Sequence, residues 1–419
     1  MKIVLVNTYE HSGGAAIACN RLRSALEKQD VDVKMLVMHK TSSNEFVLPV
    51  NKGMFAKLKN KINFLWERFV IFIVNGFSKK NVFVVSIANS GSSVCKIKEI
   101  KDADIIHLHW INQGMISLRG LRKIAKLKKP IVWTMHDQWA YTGICHHAND
   151  CKKYETECNS CPKLKYPSRK DLSFKAYKKK QEIFKKSNIT LVGCSNWITN
   201  CAKNSNIGNL VKSLNIPNPI NIDFYKKIDK ETALKHFGLP NDKKIVLFGA
   251  FTFSDENKGL KFLIDCVNFL SAEKDKYNFV VFGGKVGDLE EKLLQKIYNV
   301  NYISDKKEMV LLYSAVDVFL IPSIAENLPN VIMESMSCST PCVGFNVGGI
   351  PEMIDHKKNG YIAEYKNAED LANGVRWVLE NDNYKELSEN ARLKVETMYN
   401  EGVIAKRYIE LYNQLLKNN

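Results

Sequence analysis

Residues 321–352 read IPSIAENLPNVIMESMSCSTPCVGFNVGGIPE, and this run decides the fold. The apolar Val318-Phe319-Leu320-Ile321 leading into it is a strand, and Pro322-Ser323 begin a loop at that strand's carboxyl end. Pro329 suits the first turn of a helix, where a missing N–H costs nothing. Glu326 therefore falls in the loop. Glu334, separated from it by seven residues, falls a little over one turn inside the helix. Val331-Ile332-Met333 and Ser335-Met336 predict a buried helix face, on which a carboxylate needs partners. Backbone N–H groups at a helix start hold phosphate, and carboxylates accept hydrogen bonds from sugar hydroxyls. A phosphate site flanked by Glu326 and Glu334, with Asn327, Leu328, Pro329 and Asn330 between them, describes a nucleotide-sugar. Two solvated glutamates on a surface helix are the plain alternative, and the apolar neighbours of Glu334 weigh against it.

Outward from this stretch, strand-like apolar runs alternate with longer helical segments, which predicts an α/β protein of parallel sheets covered by helices. In the first half the runs are Ile3–Val6, Val33–Met38, Ile105–Leu108, Ile131–Met135 and Ile189–Gly193. The second half gives Ile245–Gly249, Phe279–Gly283, Asn301–Ile303, Val316–Ile321, Cys342–Phe345 and Gly360–Ala363. Ile216-Pro217-Asn218-Pro219 is the best linker, because two prolines exclude helix and favour an extended crossing. The expected division is a first domain over 1–217, a second over 218–395, and a last helical segment over 396–419. Ligands of doubly wound sheets sit at the carboxyl ends of strands, so the expected site is a cleft between two facing sheets.

With 419 residues there is enough chain for two medium domains, each burying its own core. The chain opens directly on the strand MKIVLVN, which leaves no room for a signal peptide. The most apolar stretch, Ile62 to Phe77, carries Glu67 and Arg68 and is shorter than a bilayer span. A cytoplasmic protein, peripheral on the inner face of the membrane at most, is expected. Lysine and arginine outnumber aspartate and glutamate by 61 to 44, a net charge of +17. No nucleic-acid-binding signature accompanies the charge, and the lysines are dispersed, so no nucleic-acid partner is expected. Lys52, Lys57, Lys59 and Lys61 precede the apolar stretch, and Lys79 and Lys80 follow it. An anionic membrane surface and a core-packed helix with solvated lysines fit that pattern equally well.

The Glu326/Glu334 stretch resembles the donor site of glycosyltransferase family four, the retaining GT-B enzymes with a Glu-x7-Glu signature. The resemblance extends through Gly13-Gly14-Ala15, Thr134-Met135-His136-Asp137, Ser195-Asn196-Trp197, Ile216-Pro217-Asn218-Pro219-Ile220-Asn221 and Lys258-Gly259. It implies a GT-B fold of two Rossmann-like domains, with the final helix crossing back onto the first. It implies a retaining, hexosyltransferase-type enzyme moving a sugar from a nucleotide-sugar donor to a glycan or lipid-linked acceptor in cell-surface polysaccharide synthesis. One departure stands out: where the family carries an arginine just after the strand's glycine, Gly249 is followed here by Ala250.

Lys258 follows a strand and precedes Gly259 and a helix; its ammonium can neutralise a donor pyrophosphate and the charge that develops as the nucleotide leaves. Gly13 and Gly14 permit positive φ and close approach of a ligand to backbone between a strand and the helix 15–28, with Ser12 as its expected cap. By the resemblance they form the first-domain wall of the donor site. The resemblance also gives His136 a contact with the donor sugar or the reacting centre. Asp137 beside it and His109 are expected on the acceptor side, whereas His107 reads as a hydrogen-bonding core residue. No enzyme-bound nucleophile or base is assigned. Asp102-Ala103-Asp104 precedes a strand, at the wrong sheet edge for a metal site, so no catalytic metal is expected. Cys145, Cys151, Cys158 and Cys161 cluster in a polar insertion near 145–161, whose small apolar surface predicts help from a structural zinc. His146 or His147 in place of a cysteine, and four unligated thiols, are the alternatives. Two rivals remain for the whole chain: a nucleotide-sugar epimerase on the same fold, and a zinc-bearing basic binding scaffold.

Overall fold

A computed structural model describes residues 1–250, 255–283 and 291–418. The chain divides into two compact units, 1–219 with 404–419, and 220–403. The first sheet has seven parallel strands in the order β3-β2-β1-β4-β5-β6-β7. They are β1 (Lys2–Tyr9), β2 (Asp32–His39), β3 (Val47–Pro49), β4 (Ile105–Leu108), β5 (Ile131–Met135), β6 (Ile189–Gly193) and β7 (Lys212–Asn215). The second has six parallel strands in the order β10-β9-β8-β11-β12-β13. These are β8 (Lys244–Ala250), β9 (Tyr277–Gly283), β10 (Ile297–Asn299), β11 (Val318–Ile321), β12 (Cys342–Phe345) and β13 (Gly360–Ala363). Central strands such as IVWTM and VFLI are buried on both faces, as sheets covered by helices on each side require.

Where expectation and structure differ, the cause is local. Asn301–Ile303 is not a strand; the edge strand is Ile297–Asn299, paired in parallel with Phe279–Val281. Pro49 ends β3 and donates no ladder hydrogen bond, and β7 reads KSLN, half exposed at the sheet edge. Neither carries the apolar run that betrays a central strand. The helix after β1 spans Gly14–Glu27 with Gly13, not Ser12, in the N-cap place at φ 86°.

Within the first unit, Leu22, Leu26, Leu5 and Met35 share a core with Ile404, Tyr408, Leu411 and Tyr412 from the last helix, Glu401–Lys417. The other face of that sheet buries Trp133, Trp139, Tyr177 and Phe184. The second unit builds its core from Phe248, Phe279, Leu320 and Phe345 under the helices Leu260–Phe269 and Ala368–Leu379.

Candidate active site

Each sheet reverses its winding once. In the first unit the chain steps from β1 outward to β2 and β3, then returns to place β4 on the other side of β1. In the second it steps from β8 to β9 and β10, then returns to place β11 beside β8. At such a switch point two neighbouring strands send their following loops in opposite directions, leaving a crevice at the carboxyl edge. The predicted residues fall at these two places: Gly13-Gly14 and His109 after β1 and β4, Lys258 and Glu326 after β8 and β11.

In the second unit the loop after β11 is wedged between two glycine turns. Gly259 has φ 68°, and a Cβ there would collide with the Pro322 carbonyl oxygen; Gly348 has φ 58°, and a Cβ there would collide with the Glu326 carbonyl oxygen. Ile324 N–H donates to the Asn257 carbonyl at 2.8 Å, tying the loop to the turn that carries Lys258. Both turns therefore demand glycine, for φ and for space. The loop so held presents Glu326, whose Oε1 accepts from Lys258 Nζ at 2.5 Å and from Ser323 Oγ at 3.2 Å. The Glu326 carboxylate raises the Lys258 pKa against the opposing effect of burial, so the ammonium stays charged.

The helix Asn330–Ser337 starts one residue later than the sequence predicts, with Pro329 in the N-cap place and no side-chain cap. Its first N–H groups are therefore not satisfied by a capping side chain. Glu334 is buried on this helix, at 8% exposure, and its Oε2 accepts from the Tyr313 hydroxyl at 3.3 Å. Burial, and then the Glu334 charge, push the Tyr313 pKa well up, which keeps that hydroxyl a donor. Asn327, Leu328 and Pro329 are buried beside it, while Asn330 is half buried. Ala250, the position of the missing family arginine, is the last residue of β8; residues 251–254 beyond it lie outside the described ones.

In the first unit His136 and Asp137 leave β5 half buried, and His109 leaves β4 fully buried at 3% exposure. His109 Nδ1 lies 2.9 Å from His136 Nε2, so the first imidazole orients the second. Burial pushes the His136 pKa down to about 4 and His109 well below its usual range, so both are neutral at pH near 7. His107 lies one layer deeper. Its two ring nitrogens bond Tyr412 Oη at 2.7 Å and Thr134 Oγ1 at 2.8 Å, a core role. Burial alone would raise the Asp137 pKa, but His146 and the Trp139 N–H outweigh it and hold the carboxyl at about 2. Asp137 Oδ2 accepts from Trp110 Nε1 at 2.8 Å and lies 2.6 Å from His146 Nδ1. Asp137 thus clamps the β4 and β5 ends to the following loop. Gly13 and Gly14 are exposed, and a Cβ at Gly13 would meet nothing; its positive φ, not crowding, is what calls for glycine.

Sequence reasoning missed three groups. Tyr408 and Tyr412 reach from the last helix to Thr134 and His107, and no local pattern announces so distant a pairing. Glu10 is buried, accepts from the Ser42 hydroxyl and from the Thr41 and Ser42 N–H groups, and its pKa falls to about 2: these hydrogen bonds outweigh the burial. His146 entered only as a substitute zinc ligand.

The cysteine-rich insertion corrects its own premise. Far from lacking apolar surface, it buries Ile144, Cys145, Ala148, Tyr154, Cys158, Cys161 and Leu164 in the first-unit core. Its loops are tied by Lys180, buried under Trp139 and donating to the Trp139 and Thr142 carbonyls, and by Asp171, which accepts from Cys161 N–H at 2.8 Å. Burial raises the thiol pKa of Cys145, of Cys158 to about 12 and of Cys161 to about 11. Among the described residues no group of three or more His, Cys, Asp or Glu is placed to hold a metal ion. The arrangement as it stands does not provide the expected zinc tetrad.

Residues 229–394 match the family model described as "Glycosyl transferases group 1". Over 165 residues, 39% of this chain and 43% of the relative, the sequence is 31% identical to N,N'-diacetylbacillosaminyl-diphospho-undecaprenol alpha-1,3-N-acetylgalactosaminyltransferase of Campylobacter jejuni. The chain spans about half the length of other curated relatives too, 50% and 47% for two glycosyltransferases from Methanocaldococcus jannaschii and Haemophilus influenzae. Among solved structures, sucrose-phosphate synthase from Thermosynechococcus elongatus superposes at a TM-score of 0.69 with 18% identity, covering 100% of both chains. Anabaena HepE in complex with UDP-glucose gives 0.63 at 16% identity, covering 99% of this chain and 100% of that one. The chain thus has the GT-B fold, and its second unit carries the sequence pattern of the group 1 glycosyl transferases.

Proposed function

We propose that the protein is a retaining glycosyltransferase that moves a hexose-type sugar from a nucleotide-sugar to a glycan or lipid-linked acceptor, in the assembly of a cell-surface polysaccharide. The observation that carries this reading is the Lys258–Glu326 ion pair at the switch point of the second sheet, beside the uncapped start of the helix that buries Glu334. Lys258 and the first helical N–H groups bind the donor diphosphate, and Lys258 offsets the charge of the departing nucleotide. Glu326 and Glu334 accept hydrogen bonds from ribose or donor-sugar hydroxyls, with Glu326 exchanging its bond to Lys258 as the phosphate arrives. His136, neutral and oriented by His109, contacts the donor sugar, and Asp137 holds the acceptor-side loop. The leaving phosphate oxygen takes the acceptor proton, so no side chain is assigned as base.

The Anabaena structure named above holds a sugar nucleotide and the Campylobacter relative is named for transfer to a diphospho-undecaprenol-linked sugar. The second of these favours transfer over epimerisation, whereas a bound sugar nucleotide suits either reaction. Incubation with a panel of nucleotide-sugars and crude polyprenyl-linked glycan, followed by NMR of the new linkage, tests the proposal. Transfer with the donor's anomeric configuration is expected; inversion, or epimerised donor without transfer, contradicts it.

A further inference from the structure

The helix Ala56–Val74 is built inside out. Three of its polar residues face inward: Asn60, Glu67 and Arg68 are 5%, 1% and 5% exposed. Asn60 donates to the Met38 carbonyl at 3.0 Å, Arg68 to the Val82 and Val85 carbonyls, and Glu67 accepts from Ala88 N–H at 2.7 Å and from Arg68 at 2.8 Å. Of its large apolar residues, Ile71 is buried in the core and Val70 and Phe72 pack against it, but six others face outward. Leu58, Ile62, Leu65, Trp66, Phe69 and Ile73 are 54%, 56%, 49%, 52%, 49% and 41% exposed. Their spacing, repeating at three, four and seven, forms a single stripe. Rolling the helix to bury the stripe would strand the Glu67–Arg68 pair and several backbone carbonyls without partners, so the inward bonds lock the apolar face out. Phe55, Phe77 and Phe83, at 69%, 71% and 68%, extend the same surface. A continuous apolar patch of this kind on a soluble surface marks an interaction site.

The charges around the stripe identify what it meets. Lys57 and Lys61 border it on one side and Lys59 on the other at helical spacing, and Lys52, Lys79 and Lys80 flank the helix; all are exposed. From Phe46 to Lys98 the sequence holds one carboxylate, Glu67, and that one is buried and paired. A second copy of this face, turned onto the first about a two-fold axis, would set lysine against lysine with no carboxylate of the segment to answer them. A bilayer rich in anionic phospholipid answers both features, taking the aromatic stripe at the acyl boundary and the lysines at the headgroups. Among the described residues no helix is long and apolar enough to cross a membrane, so the geometry is that of a helix lying in the interface. We infer that Ala56–Val74 is an in-plane membrane anchor selective for anionic lipid, independently of which sugar the protein handles.

Co-sedimentation with vesicles of phosphatidylcholine alone, or mixed with an equal part of phosphatidylglycerol, tests this on the full chain. Binding to the mixed vesicles at low salt, weakened at least tenfold by high salt or by leaving out phosphatidylglycerol, is expected. Trp66→Ser with Phe69→Ser should lose at least tenfold in binding while keeping the melting temperature, since both side chains are exposed. Lys57→Glu with Lys59→Glu and Lys61→Glu should lose as much without touching the apolar stripe. No binding to mixed vesicles overturns the inference, as does equal binding by both variants. A concentration-dependent dimer that the serine variant dissociates, without vesicle binding, would assign the face to a second copy instead.

Discussion

Glu334 and Lys258 do different work within one loop-and-helix unit, and their substitutions should separate. Glu334→Gln keeps the shape and the Tyr313 bond but weakens the acceptor for a sugar or ribose hydroxyl. Lys258→Ala removes the cation and leaves Glu326 half buried without it. Each should cost about 2–3 kcal/mol of transition-state stabilisation, a factor of tens to hundreds in turnover at limiting donor. Unchanged circular dichroism would confine the loss to the site. Gly348→Ala should behave otherwise. Its Cβ meets the Glu326 carbonyl at a φ of 58°, so the loop must shift, at a cost of about 2–3 kcal/mol in stability along with donor binding. A Gly348→Ala protein with wild-type melting and turnover would show that the loop is not held as described. The Glu326/Glu334 spacing was legible in sequence because it lies within one strand–loop–helix unit. That two glycines wedge the loop was not, since each collision partner lies across the unit from its glycine.

Strand ends show the same limit at the scale of elements. The runs that form β4, β5, β6, β11 and β12 are legible as short continuous apolar stretches, and each is buried throughout, whereas β3, β7 and β10 are short edge strands with mixed sequence. The insertion near 145–161 looked polar because its buried side chains follow no helical or strand period; only folding shows that Tyr154, Cys158 and Leu164 enter the core. At the ends of β4 and β5 three histidines are packed in a row, with His107 held near 3 and His136 near 4 by burial. Their folded pKa values lie below the unfolded value of about 6.5, so the unfolded chain takes up protons first as the pH falls. Their contribution is therefore intact above about pH 6.5 and lost progressively below it, at about 1.4 kcal/mol per pH unit for each histidine. Urea unfolding should show stability falling as the pH drops from neutral towards 5, with a shallower slope for His109→Gln. Equal stability at both ends of that range would mean that the histidines are not buried neutral.

Across the whole molecule, the first unit is not closed by its own continuous chain. Tyr408 and Tyr412 return from the last helix to bond Thr134 and His107, and the His107 ring stacks on His109, which in turn stacks on His136. Deleting residues 404–419 should therefore abolish cooperative unfolding of the first unit rather than trim a loose end, as a loss of buried tyrosine area and of four hydrogen-bonding groups implies. Retained near-ultraviolet dichroism in the truncated chain would contradict this. The proposed activity turns on the second unit binding a nucleotide-sugar through Lys258 and Glu334. Thermal unfolding of wild type, Lys258→Ala and Glu334→Gln with a panel of nucleotide-sugars measures this, because a ligand bound only by the folded state raises the melting temperature with the logarithm of its concentration over its Kd. At least one sugar nucleotide should stabilise the wild type by several degrees, and both variants should lose most of that shift. No shift with any donor, or equal shifts in all three proteins, would contradict the claim.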